Sequence, residues 1–186
     1  TNPPFSMNYT RDGMKFPERF RYGWCPDSGK KSDLMFVQHM LAVLRPGGIV
    51  ATVMPHGILF RGGAERDIRK GFLQDDLLAS VIGLAPDLFY GTGIPACVVG
   101  LRATGGKPPE RRGKVLFINA DREYREGKAQ NFLRPEDLDK IVHAYRQGKK
   151  IHGYAELVSR ENIAAEEYNC NIRRYVDNAP PPEPHD

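Results

Sequence analysis

Leu44-Arg45-Pro46-Gly47-Gly48-Ile49-Val50-Ala51-Thr52-Val53-Met54 is the stretch on which the fold turns. Ahead of it, Leu34, Val37, Leu41 and Leu44 recur at helical spacing, and Ser32 stands where a helix cap belongs. The pattern predicts a helix over about 33–44, which Arg45-Pro46-Gly47-Gly48 stops. Ile49–Met54 is then an apolar run rich in β-branched residues, the pattern of a strand buried on both faces.

Working outward, a charged segment over about 63–74 carries Ile68, Phe72 and Leu73 on one side, as a helix packed on a core would. Residues 77–84 and 96–102 read as two further strands, separated by the loop 85–95. Strand, helix and strand in alternation imply a three-layer α/β sheet covered on both faces. A Gly/Pro/Lys-rich, hairpin-like connection over 104–113 leads to one more strand at 114–119. Pro135 opens a helix with Leu138, Ile141, Val142 and Tyr145 at core spacing. Patterning is weak beyond it, and 179–186 is a Pro-rich tail. The first 31 residues lack periodicity. Prolines, glycines and scattered aromatics (Phe5, Tyr9, Phe16, Phe20, Tyr22, Trp24) mark a long ordered loop, a type that often carries function.

Composition sets outer bounds. The 186 residues suffice for one domain with a true core, and 40% hydrophobic with 27% charged residues describe a globular chain. No apolar run approaches the roughly 20 residues of a membrane span, and no signal peptide is visible at the start. Cys25, Cys97 and Cys170 are too far apart and odd in number for a disulfide framework or a zinc site, which suits a reducing cytoplasm. No metal site is expected. A net charge of +4 permits a polyanionic partner without demanding one.

Asn2-Pro3-Pro4-Phe5 carries the chemistry. Methylating an exocyclic amine requires a nitrogen lone pair that, in adenine, is delocalised into the ring. A side-chain amide oxygen (Asn2) and a backbone carbonyl (Pro3), both accepting from the NH2 group, draw the nitrogen toward a tetrahedral geometry. The two prolines fix the backbone that presents them. Phe5 can stack against a base that has left the duplex. Position and polarisation then suffice, without metal or covalent intermediate. A plain Asn-Pro-Pro turn is the alternative that the tetrad alone leaves open.

The tetrad resembles the fourth conserved motif of amino-group DNA methyltransferases. The sequence downstream of it is similar to the modification subunit of type I restriction-modification systems along nearly the whole chain. The matching segments are Lys31–Phe36 with His39, Leu44–Gly48, Met54–Arg61, Glu65-Arg66 with Ile68-Arg69, Gly91–Pro95, Phe117–Ala120, Gln130-Asn131 with Leu133, and Tyr168-Asn169 with Asn171-Ile172 and Arg174-Tyr175-Val176. The match departs at Cys170, where an aliphatic residue is expected.

The resemblance implies a class I, Rossmann-like methyltransferase fold that uses S-adenosylmethionine. The chain would hold the C-terminal half of its seven-stranded sheet plus a small extension. Residues 49–54, 77–84 and 96–102 would be strands five, six and seven. Residues 1–103 would belong to the catalytic domain, 104–178 to a family-specific extension packed on it, and 179–186 to a flexible tail. Strands one to three and the glycine-rich cofactor turn would precede Thr1, so this piece alone is expected neither to bind the cofactor well nor to methylate DNA.

The implied activity is adenine-N6 methylation of double-stranded DNA, alongside a specificity subunit and a restriction subunit. Two rival readings are a self-contained adenine methyltransferase of another restriction type and a non-catalytic remnant that docks DNA or partners. His56, Thr92 and Gly93 are candidates for the base pocket, with loop structure as their plain alternative. Arg61, Arg66, Arg69 and Lys70 are candidates for DNA phosphates, against a solvated helix face. Asp33 reads as a first-turn helix charge rather than a catalytic acid.

Overall fold

The computed structural model describes residues 1–180 and 182. Within the Pro-rich tail, residues 181 and 183–186 lie outside the described residues. Five strands form one sheet: β1 (Ile49–Pro55), β2 (Leu78–Gly83), β3 (Ala96–Arg102), β4 (Lys114–Asn119) and β5 (Ala155–Ser159). Their spatial order is β1-β3-β2-β4-β5. β3 is antiparallel to both its neighbours, β4 is parallel to β2, and β5 is antiparallel to β4. β1, β2 and β4 therefore point one way. The resemblance implied an antiparallel last strand at residues 96–102, and β3 is antiparallel; its place between β1 and β2 is shown by its pairing.

Among the described residues, four helices cover the sheet: α1 (Asp33–Ala42), α2 (Ala64–Gln74), α3 (Pro135–Gln147) and α4 (Arg160–Ala165). The larger core lies on one face, where Leu34 and Val37 of α1, Ile68, Phe72 and Leu73 of α2 and Ile163 of α4 meet Val50, Met54, Val81, Val99, Leu101 and Phe117. Burying each large apolar side chain there contributes roughly 1.5–3 kcal/mol. On the other face a smaller cluster joins Ala144 of α3 to Ile82, Leu116, Ile118 and Ala155.

Several sequence-based expectations change. Ile49–Met54 is a strand but is not buried on both faces: Ile49 is 54% exposed, and Val50, Thr52 and Met54 point inward while Ala51 points out. The second face of β1 has no part in the α3 cluster, whose members come from β2, β4 and β5 with Val98 of β3. The 104–113 segment is no hairpin, because β4 pairs with β2 rather than with β3. The apolar spacing on α3 marks a helix and half of its inner face. Ile141 and Tyr145 pack beside buried Ala144, whereas Leu138 and Val142 are exposed. The weakly patterned C-terminal stretch contains β5 and α4. Ser32 precedes α1 as expected, yet its hydroxyl caps nothing.

Candidate functional site

The carboxyl ends of β1, β2 and β4 share one edge of the sheet, where loops in α/β proteins gather ligands. Thr1 runs along the outer edge of β1. Its amine donates to Ala51 O at 2.7 Å, and Val53 N–H donates to Thr1 O at 3.0 Å, the pattern of a parallel bridge. Asn2 is thus the point at which the chain leaves the sheet edge. Asn2, Pro3, Pro4 and Phe5 then line an open cleft of about 530 Å³, together with Phe89, Tyr90, Thr92 and Ile94 from the loop between β2 and β3. The Phe5 and Phe89 rings meet edge to face, with centroids 6.4 Å apart. Tyr90 is 96% exposed at the rim. Among the described residues, no hydrogen bond engages the Asn2 amide or the Pro3 carbonyl. Two acceptors and two aromatic rings therefore stand ready at one opening.

The chain just beyond the tetrad is tightly held. Ser6 has φ 51°, a left-handed conformation uncommon outside glycine. Its N–H donates to Asp33 Oδ1 at 2.8 Å, and Ser32 N–H donates to Met7 O at 3.1 Å. Further along, Lys30 N–H donates to Asn8 Oδ1 and Tyr9 N–H to Asp27 O. The Tyr9 hydroxyl donates to Cys25 O. Trp24 packs on Tyr9 and Phe20, with Arg11 over its ring. The expected long ordered loop is real, and its backbone needs are met by these bonds and by a 3-10 turn at Pro17–Phe20. Of the aromatics in this loop, only Phe5 lines the cleft.

Beneath the loop lies a compact charge cluster at the first turns of α1 and α2. Asp33 is 1% exposed and Glu65 is nearly as enclosed. Arg61 donates to Glu65 through Nε at 2.6 Å and Nη2 at 3.1 Å, and its Nη2 lies 3.6 Å from Asp33 Oδ2. Lys31 Nζ lies 3.9 Å from Glu65. Asp33 Oδ2 is buried and makes no hydrogen bond. Burial pushes the Asp33 carboxyl above its ordinary range, opposed by the Ser6 N–H and Arg61 and reinforced by Glu65. Cys25, Cys97 and Cys170 are buried free thiols, each pushed up to about 12 by burial, so none supplies a thiolate.

Of the pocket candidates, Thr92 reaches the cleft, where its hydroxyl accepts from Ile94 N–H at 3.2 Å. Gly93 sits in the same loop, facing Asp87. His56 is half-buried instead, and its Nε2 lies 3.0 Å from Ala96 O. A carbonyl only accepts, so that ring nitrogen carries the proton. Burial pulls the imidazole below its usual value.

The basic candidates separate. Arg69 is 5% exposed and donates to the carbonyls of Ile58, Arg61 and Tyr168. A guanidinium so enclosed ties loops together, which corrects its assignment to DNA phosphate. Arg61 is taken up by Glu65 and Asp33. Arg66 and Lys70 remain at the surface, the first beside Asp67, the second over the Tyr168 ring. Ile94 belongs to the Gly91–Pro95 motif, but Phe89 and Tyr90 were not singled out by sequence reasoning. Their signal was the aromatic pair just ahead of that motif.

The family model described as N-6 DNA Methylase matches residues 1–183. The chain is 36% identical over 184 residues to the type I restriction enzyme MjaVIII methylase subunit of Methanocaldococcus jannaschii, covering 94% of this chain and 31% of that protein. It is 31% identical to the MpnII methylase subunit of Mycoplasma pneumoniae, covering 95% of this chain and 32% of that one. The crystal structure of a type I restriction-modification system methyltransferase subunit from Streptococcus thermophilus superposes with a TM-score of 0.84 at 38% identity, over 95% of this chain and 37% of that one. The chain spans about a third of the length of these relatives.

Proposed function

The chain belongs to the N-6 DNA methylase family, and on that premise we propose that its residues form the base-gripping side of a site that methylates adenine N6 in double-stranded DNA. The observation that carries the reading is the cleft at Asn2–Phe5, where a free amide and a free carbonyl stand beside the Phe5–Phe89 pair. An adenine turned out of the duplex presents a flat ring and an NH2 group, and those are the two features that such a cleft complements. Phe5 and Phe89 hold the ring. The Asn2 amide oxygen and the Pro3 carbonyl each accept one N–H, which fixes the nitrogen and turns its lone pair toward the open side of the cleft.

S-adenosylmethionine would supply an electrophilic methyl group on a sulfonium. The residues present fit the reactive end of such a donor, since carbonyl oxygens and aromatic faces both favour a cation. Among the described residues no carboxylate lines the cleft to hold a ribose, so the remainder of the cofactor contact is assigned to the larger part of the parent protein. With only this part of the site, the isolated residues 1–186 should bind the cofactor poorly and leave DNA unmethylated. As the nitrogen gains its methyl group, the proton it sheds leaves through the open mouth of the cleft to water.

Partners follow from the same premise. Both curated relatives are methylase subunits of type I restriction enzymes, so we assign the parent protein to a complex with a specificity subunit and a restriction subunit, in the cytoplasm. Arg66 and Lys70 are the basic side chains still available to DNA phosphate. Co-purification of a specificity subunit separates this reading from a self-contained enzyme. The decisive test is Asn2→Ala in the intact parent enzyme. Loss of one donor or acceptor at the reacting centre typically costs on the order of 100- to 1000-fold in rate, and an undiminished methylation rate would sink the proposal.

A further inference from the structure

We infer that Asp33 is a positioning residue for the Asn2–Phe5 tetrad, acting through the backbone N–H of Ser6. The inference rests on the function proposed above. Three observations converge on it. Ser6, directly after Phe5, holds a left-handed backbone conformation that a residue with a Cβ adopts only when its surroundings enforce it. The enforcing contact is the 2.8 Å bond from Ser6 N–H to Asp33 Oδ1. Asp33 itself is fully enclosed at the start of α1, although an enclosed aspartate is unfavourable without a partner for each oxygen, and its Oδ2 has no hydrogen bond.

A helix-start aspartate serving only α1 would face solvent or bond the first-turn amides of its own helix. Asp33 does neither, and turns across to the catalytic loop. Its other oxygen faces Arg61, which Glu65 holds by two hydrogen bonds. The carboxylate plane is thereby fixed from behind. The next residue pair repeats the tie, with Ser32 N–H donating to Met7 O. At its other end the tetrad is bound to the edge of β1 through Thr1. Asn2–Phe5 is thus a short bridge anchored on both sides, with Asp33 as the anchor on the Phe5 side. Loosening that anchor moves Phe5 and the Pro3 carbonyl relative to the base while leaving the rest of the sheet intact.

The test uses the full-length parent protein in its complex, with single-turnover methylation and cofactor affinity measured separately. Asp33→Leu removes the acceptor while keeping the branched shape, and a misplacement of about 1 Å at a reacting centre can lower the rate on the order of 100-fold. The expected result is such a loss with cofactor affinity unchanged. Asp33→Asn keeps an oxygen for Ser6 N–H and should stay within a few-fold of the natural rate. Asp33→Ser shortens the side chain out of reach of Ser6 N–H without adding volume and should lose as much as Asp33→Leu. Ser6→Gly takes a positive φ without strain, so adding it to Asp33→Leu should recover part of the lost rate. If Asp33→Leu does not fold, Asp33→Ser carries the test: the same loss with intact cofactor binding supports the inference, and a natural rate overturns it. Equal losses in Asp33→Leu and Asp33→Asn, or no recovery on adding Ser6→Gly, also overturn it. Asn2→Ala measured in parallel keeps the two claims apart. Should Asn2→Ala methylate normally, the proposed function fails; should it be inactive while Asp33→Leu and Asp33→Ser behave naturally, only the positioning role fails.

Discussion

Two buried ion clusters sit at opposite ends of the sheet, and they are built differently. At the end where β2 and β4 begin, Lys107 is enclosed and donates to Asp76 Oδ1 and to Lys114 O, both at 2.7 Å, while Asp76 Oδ2 accepts from Gly113 N–H at 2.8 Å. Both Asp76 oxygens are matched, and one cation meets one anion. At the cleft end, two enclosed carboxylates share Arg61, with Lys31 at a distance, and Asp33 Oδ2 goes without a hydrogen bond. A satisfied polar network rigidifies a fold, whereas a partly satisfied one stores unfavourable energy that the surroundings must hold. The first cluster is architecture. The second holds the loop that bears Asn2–Phe5 in a conformation it would not otherwise keep.

The largest effect expected from this contrast is at the closed pair. Lys107→Met keeps the aliphatic stem and leaves Asp76 facing a lost charge. Removing one partner of a buried pair destabilises by about 3–5 kcal/mol, and Asp76 is partly exposed, so about 3 kcal/mol is expected. Urea unfolding of the parent protein reads it as a shift in midpoint with the slope unchanged. A midpoint within error of the natural protein would mean that the two clusters do not differ as argued.

Asp33→Asn comes next, and its smallness is the point. Asparagine retains an acceptor for Ser6 N–H and removes a charge that burial already disfavours, so stability should change by less than about 1 kcal/mol. Its pH dependence has a definite sign. The folded carboxyl is raised above its ordinary value of 3.8. The folded state therefore binds the proton more tightly than the unfolded chain, and Asp33 favours folding most below the unfolded value. That contribution is lost as pH climbs through the raised one. Unfolding free energies of the natural protein and Asp33→Asn, compared between acid and neutral pH, should diverge in favour of the variant at neutral pH. A natural protein that gains on the variant as pH rises would contradict the account.

How far sequence alone reached depends on the same division between local and long-range order. Strands β2, β3 and β4 were legible because each is a short, mainly apolar run between turn residues. β5 escaped because Ala155–Ser159 is short and mixed in polarity, and only its pairing with β4 makes it a strand. The antiparallel direction of β3 came from resemblance, but its insertion between β1 and β2 was not legible, since no periodicity encodes which strands meet. In the site, Asn2–Phe5 stood out because the chemistry fits in four adjacent residues. Asp33, Phe89 and Tyr90 did not, because their roles exist only once α1 and the β2–β3 loop arrive at the same place. Arg69 failed for the reverse reason. A basic residue on a charged helix looks solvated until carbonyls from residues 58, 61 and 168 close around it.

The smallest effect expected is at Lys31. Its ammonium lies 3.9 Å from Glu65 and is about one-third exposed, so water and salt screen it, and such pairs contribute roughly 0–1 kcal/mol. Glu65 already has Arg61 at two hydrogen-bond distances and the first-turn amides of α2 behind it. Lys31→Met should therefore shift the urea midpoint by less than about 0.5 kcal/mol, and the shift should vanish at high salt. Should it instead match Lys107→Met, Lys31 would be a full member of the cluster. Two cations would then balance two anions, the cleft end would be as closed as the other, and Asp33 would carry no special burden.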